Sequence, residues 1–194
     1  MLSDVWIALD GLKLYIEQSP KGSIQSRFYN GWTHDHYVTN LLGFTPAGTI
    51  SVACMNVPGS IHDSTVAEWG EVYDKLEKVY EKNGGKCAVD SAFCKKDRDY
   101  LIKSGVMMTG TAHEVLVQAD ATSMRQSAEW GMRSFQASFP RVKDRFIYEE
   151  NGERGLILKL FVFLFNYRSN KVGINQIKNT YLTSLQLEGN VFVN

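Results

Sequence analysis

Apolar residues open the chain as a run, Val5-Trp6-Ile7-Ala8-Leu9, that stops at Asp10-Gly11; beyond it Leu12, Leu14 and Ile16 alternate with polar residues. Alternation at every second position puts apolar side chains on one face of an extended segment. The pattern therefore predicts a strand, a kink at the glycine, and a continuing strand or hairpin arm. Ser19-Pro20-Lys21-Gly22-Ser23 has turn chemistry and predicts a loop. Tyr37 to Phe44 predicts a second strand and Thr49 to Met55 a third, joined through Thr45-Pro46-Ala47-Gly48 as an antiparallel hairpin.

After Pro58-Gly59-Ser60 the period changes. Val66, Trp69, Tyr73, Leu76 and Tyr80 recur three and four apart, the spacing of one helix face, with Asp63 or Ser64 as cap and Asn83-Gly84-Gly85 as stop. Lys86 to Asp90 predicts a short strand ending in a carboxylate. Lys95 to Lys103 predicts a short helix ended by Gly105, and Val106-Met107-Met108 one more strand. From about Ala119 helical spacing returns through Met124, Ala128, Met132, Phe135 and Phe139. Pro140 ends or kinks that helix, because proline has no amide to donate. A last helix runs from Arg154 to about Arg168. Its apolar stretch Leu156 to Phe165 contains Lys159, is about half the roughly 20 residues a membrane crossing needs, and is expected to be buried. Antiparallel strands followed by alternating helices and strands predict an α/β fold, a mixed sheet with helices packed on it.

Composition bounds the function classes. At 194 residues and 44% hydrophobic, the chain is long enough for one packed domain and too apolar for disorder. Its 21 basic and 21 acidic residues cancel, which counts against a strong nonspecific DNA binder. Cys54, Cys87 and Cys94 are too few and too scattered for a secreted disulfide framework or a zinc site, and read as reduced intracellular thiols. Met1-Leu2-Ser3-Asp4 lacks the basic start and apolar stretch of a secretion signal, and no membrane partner is expected.

Asp10 and Asp90 each end an apolar strand and are each followed by a small residue. If those strands are neighbours, the carboxylates meet. Like charges repel by about 4 kcal/mol at about 4 Å with an effective dielectric near 20, so the pair needs a cation or a shared proton. Hard divalent ions favour such oxygen ligands. The plainer reading is that aspartate suits turns. Glu129 lies in a helix with Arg125 and Arg133 at i−4 and i+4, the pattern of a solvated ion-pair stripe, yet Ala128, Trp130 and Gly131 flank it. His34-Asp35-His36 and His62-Asp63 resemble ligand clusters for zinc or iron. No third ligand has convincing spacing, and a polar loop with a helix cap is favoured there. The chain contains no G-x-x-x-x-G-K-[ST], G-x-G-x-x-G or G-x-S-x-G motif.

In order along the chain stand Leu9-Asp10-Gly11, Pro58-Gly59-Ser60-Ile61-His62-Asp63-Ser64, Val89-Asp90-Ser91-Ala92-Phe93, Glu129-Trp130-Gly131-Met132-Arg133-Ser134-Phe135 to Phe139-Pro140, Asn166-Tyr167-Arg168 and Val172-Gly173-Ile174-Asn175-Gln176-Ile177. This ordered set resembles the DDE superfamily endonuclease domain of PIF/Harbinger-type transposases and their domesticated relatives. The resemblance implies an RNase H-like mixed five-stranded sheet flanked by helices over residues 1–180, with 181–194 as a C-terminal tail. It implies that Asp10, Asp90 and Glu129 are the catalytic acids and ligands of Mg2+ (or Mn2+), that His62 and Asp63 are a helix cap and site scaffold, and that Lys13, Arg125 and Arg133 meet DNA phosphates. It further implies a nuclear protein that cuts and joins DNA by two-metal chemistry. The chain departs from the family where Gly11-Leu12-Lys13 replaces the frequent Gly-Thr-His and Phe93 the frequent tyrosine. It also begins almost at the first catalytic strand, without the family's upstream helix-turn-helix, so a separate DNA-binding protein or domain is an expected partner, as is a second copy of the chain. Two rivals stay open: a catalytically inactive, domesticated binding module, and a metal-dependent hydrolase using His34-Asp35-His36.

Overall fold

Strand β1 (Val5–Tyr15) carries the middle of the sheet. In the computed structural model, residues 5–93, 96–104, 112–147, 151–173 and 175–180 are described, apart from the side chains at 112–114, 116–118 and 120. Strand β3 (Asp35–Phe44) runs antiparallel to β1 in unbroken register from Ala8 opposite Phe44 to Tyr15 opposite Tyr37. Its far edge takes β4 (Ile50–Pro58) through the Thr45–Thr49 turn, and its first residues also pair with the short β2 (Tyr29–Asn30). On the other side of β1 lie β5 (Lys86–Val89) and then β6 (Leu101–Lys103), both parallel. Helices α1 (Gly22–Phe28), α2 (Asp63–Trp69), α3 (Val72–Asn83), α4 (Ala112–Ser138) and α5 (Asn151–Val172) complete the order, with a 3-10 turn at Pro140–Lys143. The result is the expected α/β class: a curled mixed sheet with helices on both faces, RNase H-like in its arrangement.

Strand alternation decides which helix covers which face. Ala8, Leu12, Leu14, Val38 and Leu42 pack with Met124, Ala128 and Phe135 of α4 and Leu158 and Phe165 of α5. Ile7, Leu9 and Leu41 point the opposite way and pack with Val66, Val72 and Leu76 of α2 and α3. Helix α4 comes unusually close to the sheet at Gly131, where any side-chain carbon would run into the Phe44 ring. Helix α5 is fastened to β4 by Asn166, which accepts from the Ile50 amide and donates to the Ile50 carbonyl, each at 2.8 Å.

Several expectations need correction. Of the two continuations expected after Gly11, the chain takes the continuing strand, and Asp10 does not end it, because β1 pairs with β3 straight through Gly11 to Tyr15. The stretch expected as a loop after Ser19 turns into α1 at Gly22. The single helix drawn through Val66 to Tyr80 is two, parted at Gly70 and at Glu71, whose φ of 53° lies in the left-handed region. The parting turns Trp69 out to solvent. Leu101–Lys103, expected to be helical, is strand β6, because the free edge of β5 offers it backbone partners. The strand expected at Val106-Met107-Met108, Cys94, and the tail 181–194 lie outside the described residues. Helix α5 is not buried throughout: Leu158 and Phe165 are, whereas Leu156, Leu160, Phe163 and Tyr167 face solvent. Among the described residues no helix is long and apolar enough to cross a membrane.

Candidate active site

Asp10 sits on the face of β1 that meets α4. Its Oδ1 accepts from the Gly11 amide at 2.8 Å, and its Oδ2 pairs with Arg125 Nη1 at 3.2 Å. The other nitrogen of the same guanidinium, Nη2, reaches Glu129 Oε1 at 3.0 Å, one helical turn further along α4. Arg125 thus bridges the acid of the first strand and the acid of the helix. The ion-pair stripe expected from sequence exists as an Arg125–Glu129 contact, but half of that guanidinium is committed across the fold.

Asp90 reaches the same region through sheet register. Ala8 and Ala88 are partners in the parallel β1–β5 pair, so Asp10 and Asp90, each two residues further on, stand at the same level, Asp10 within β1 and Asp90 just past the end of β5. The Ala92 amide donates to Asp90 Oδ1 at 2.5 Å and holds that carboxylate at the strand end.

A fourth carboxylate arrives from the opposite face. Asp63 is the first residue of α2, after His62 in the cap position, and no side-chain cap bond forms there. Its carboxylate instead lies on the backbone of Gly11: a carbon added to that glycine would stand 2.5 Å from Asp63 Oδ2. The expectation that Asp63 caps the helix is therefore replaced by a position against β1, one residue from Asp10.

The charges feel one another. Burial pushes the Asp10 carboxyl above the usual range; the Gly11 amide and Arg125 pull it back, while Asp90 and Glu129 push it up. Burial likewise raises Asp63, with Asp10 and Asp90 adding to the rise and Lys13 and His62 opposing it. Asp63 and Asp90 line a cleft of about 480 Å³ together with Lys13, Trp32, Tyr37 and His62. Lys13 Nζ lies 5.3 Å from the centre of the Tyr37 ring. Asp10 is not part of the cleft wall; its Oδ2 is held by Arg125.

This donor set fits a hard divalent cation in chemistry and in charge: carboxylate oxygens crowded at a cost that a cation relieves. Among the described residues, no three potential ligands close on a common point as they stand. Between Asp10 and Glu129 the counter-charge position is occupied by the Arg125 guanidinium.

Other expected residues fall elsewhere. Arg125 pairs with carboxylates rather than standing free for phosphate. Arg133 is exposed and lines a separate cavity of about 290 Å³ with Trp130, Ser134 and Asn175. The His34-Asp35-His36 cluster does not assemble. His34 lies in a turn with φ 53° and meets Tyr29 Oη, His36 is buried with neither ring nitrogen hydrogen-bonded, and Asp35 makes a two-pronged pair with Arg145 at 2.9 and 3.0 Å. The sequence pattern did not mark Asn30, Trp32 and Tyr37 as parts of the cleft; its one signal there was the Asn30-Gly31 turn pair between Tyr29 and Trp32.

Compared with known proteins, the chain matches a family model described as DDE superfamily endonuclease over residues 9–166. No curated protein matches it, and no solved structure does.

Proposed function

The chain belongs to the DDE superfamily endonuclease family, and from that premise we propose that it is the core of a Harbinger/PIF-type transposase that cleaves and joins DNA phosphodiester bonds. Membership makes it a transposase-type nuclease with DNA as substrate, in a superfamily that generally uses divalent metals. The finer reading assigns Asp10, Asp90 and Glu129 as ligands of two Mg2+ or Mn2+ ions and places the protein in the nucleus. Bound ions of this kind supply an activated water or 3′-hydroxyl nucleophile and charge for the leaving oxygen.

The observation that carries this reading is the Arg125 guanidinium bridging Asp10 of β1 and Glu129 of α4, with Asp90, just past the end of β5, level with Asp10 and pushing its carboxyl up. Asp63, seated on Gly11, adds a further carboxylate that Asp10 and Asp90 push up. In this reading Arg125 is a resident counter-ion that releases Asp10 when the cleft is charged, and it then meets phosphate together with Lys13. Arg133 serves DNA further along α4. Divalent-ion-dependent nicking of plasmid DNA tests the proposal: wild type cuts, and Asp90→Asn loses at least 100-fold. Equal cutting by both overturns it.

A second reading, a catalytically silent transposase-derived binding module, is favoured by one observation. Leu156, Leu160, Phe163 and Tyr167 form an exposed apolar stripe along α5, of the kind that marks protein contacts, self-association included. That reading requires no nicking by wild type and no stabilisation by Mg2+. A ligand that binds only the folded state adds about 2.7 kcal/mol at a hundred times its Kd, so thermal melts in Mg2+ and in chelator separate the two readings.

A further inference from the structure

Trp32 stands 92% exposed, the highest value among the large apolar side chains of the described residues. It belongs to neither core, yet it is a wall of the cleft that contains Asp63 and Asp90. Its loop is anchored. Asn30 donates from Nδ2 to the Gly59 carbonyl at 2.8 Å, and its Oδ1 accepts from the amides of Trp32 and Thr33 at 3.1 and 3.2 Å. One side chain therefore fixes the β2–β3 turn to the turn that leads into α2, the helix carrying Asp63. That framework fixes the backbone at Trp32, and among the described residues its indole stands exposed at the cleft.

The remaining wall has complementary chemistry. Lys13 stands over Tyr37 in the same cleft, so cation and aromatic surface are interleaved beside the carboxylates. Grooves that bind unpaired nucleic acid combine these features: charge tracks the backbone, and exposed aromatic rings stack on bases. A phosphodiester brought to the carboxylates carries a base on each side, and a base free of its duplex presents a flat apolar face to such a ring.

We propose that Trp32 is a base-stacking residue, holding one unpaired nucleobase next to the phosphate that enters the cleft. The inference rests on the nuclease reading for its ligand and needs no catalysis for its test. The full chain is titrated, in Ca2+ to suppress cutting, with a DNA duplex bearing a short single-stranded overhang that contains 2-aminopurine. Expected are quenching of the 2-aminopurine by wild type, a loss of about ten-fold in affinity for Trp32→Ala, as deletion of one base–aromatic stack produces, and retention within about three-fold for Trp32→Phe. An abasic site at the same position should make wild type and Trp32→Ala equal. Quenching and affinity unchanged in Trp32→Ala overturn the proposal. A Trp32→Ala loss that persists on the abasic DNA also overturns it. Absence of any binding by wild type sinks the nuclease reading itself, a result distinct from binding that ignores Trp32.

Discussion

Replacing Gly11 by alanine perturbs the point where α2 comes down on β1. The new carbon would lie 2.5 Å from Asp63 Oδ2, 3.0 Å from its Cγ and 3.2 Å from Oδ1. Ordinary contact begins near 3.4 Å, so the carboxylate must retreat by about 0.9 Å. Asp63 is anchored in the first turn of α2, and the retreat has to come from rotating its side chain. Off-rotamer strain and overpacking of that size cost about 1–3 kcal/mol, while alanine in place of a strand glycine returns about 0.5–1 kcal/mol. The net expectation is a loss of about 1–2 kcal/mol in urea denaturation, or about 2–8 °C in Tm for a domain of this size. A double-mutant cycle makes the test specific. In an Asp63→Ala background the clash is gone, and Gly11→Ala should become neutral or mildly stabilising. The same loss in both backgrounds would refute the placement of Asp63 on β1. Because displacements of about 1 Å at a reacting site cost on the order of 100-fold in rate, DNA nicking should fall far more than stability does.

In chelator, the crowded carboxylates make the fold less stable as pH rises. Below the ordinary aspartate range both states are protonated and Asp10 and Asp63 contribute nothing; above it the unfolded chain releases its protons first, since the folded carboxyls are raised, so stability falls until the raised folded values are passed and stays reduced beyond them. Asp63→Asn should flatten that fall and be more stable than wild type at pH 7, and equal pH profiles by thermal melts would contradict it. Arg154, 2% exposed, donates to Asn56 Oδ1 at 2.6 Å, Asn151 Oδ1 at 2.7 Å and the Ile147 carbonyl at 2.8 Å. Arg154→Met leaves those acceptors without their donor and should cost about 3 kcal/mol or more in urea denaturation; a loss under about 1 kcal/mol would show that water or neighbours replace it.

How much of this was legible in the chain follows from what is local. Strand β1, the β3–β4 hairpin and the helical stretch from Met124 to Phe135 could be read directly, because period-2 and period-3.6 patterns are written in neighbouring residues and survive folding. The strand-end position of Asp90 was readable for the same reason, whereas Asp10, expected at a strand end, lies within β1; Glu129 was readable only by resemblance, since its Arg125 and Arg133 neighbours fit a solvated stripe equally well. Tertiary structure alone decided the rest. Strand β6 is too short to have a period and exists because β5 had a free edge. Arg125 turns to Asp10, and Asp63 settles on Gly11, only because α4 and α2 cross β1 from its two faces, a relation between segments more than 50 residues apart. In its central stretch Leu156 to Phe165 helix α5 is apolar on nearly every side, and a stretch with no preferred face cannot announce which side its neighbours will cover.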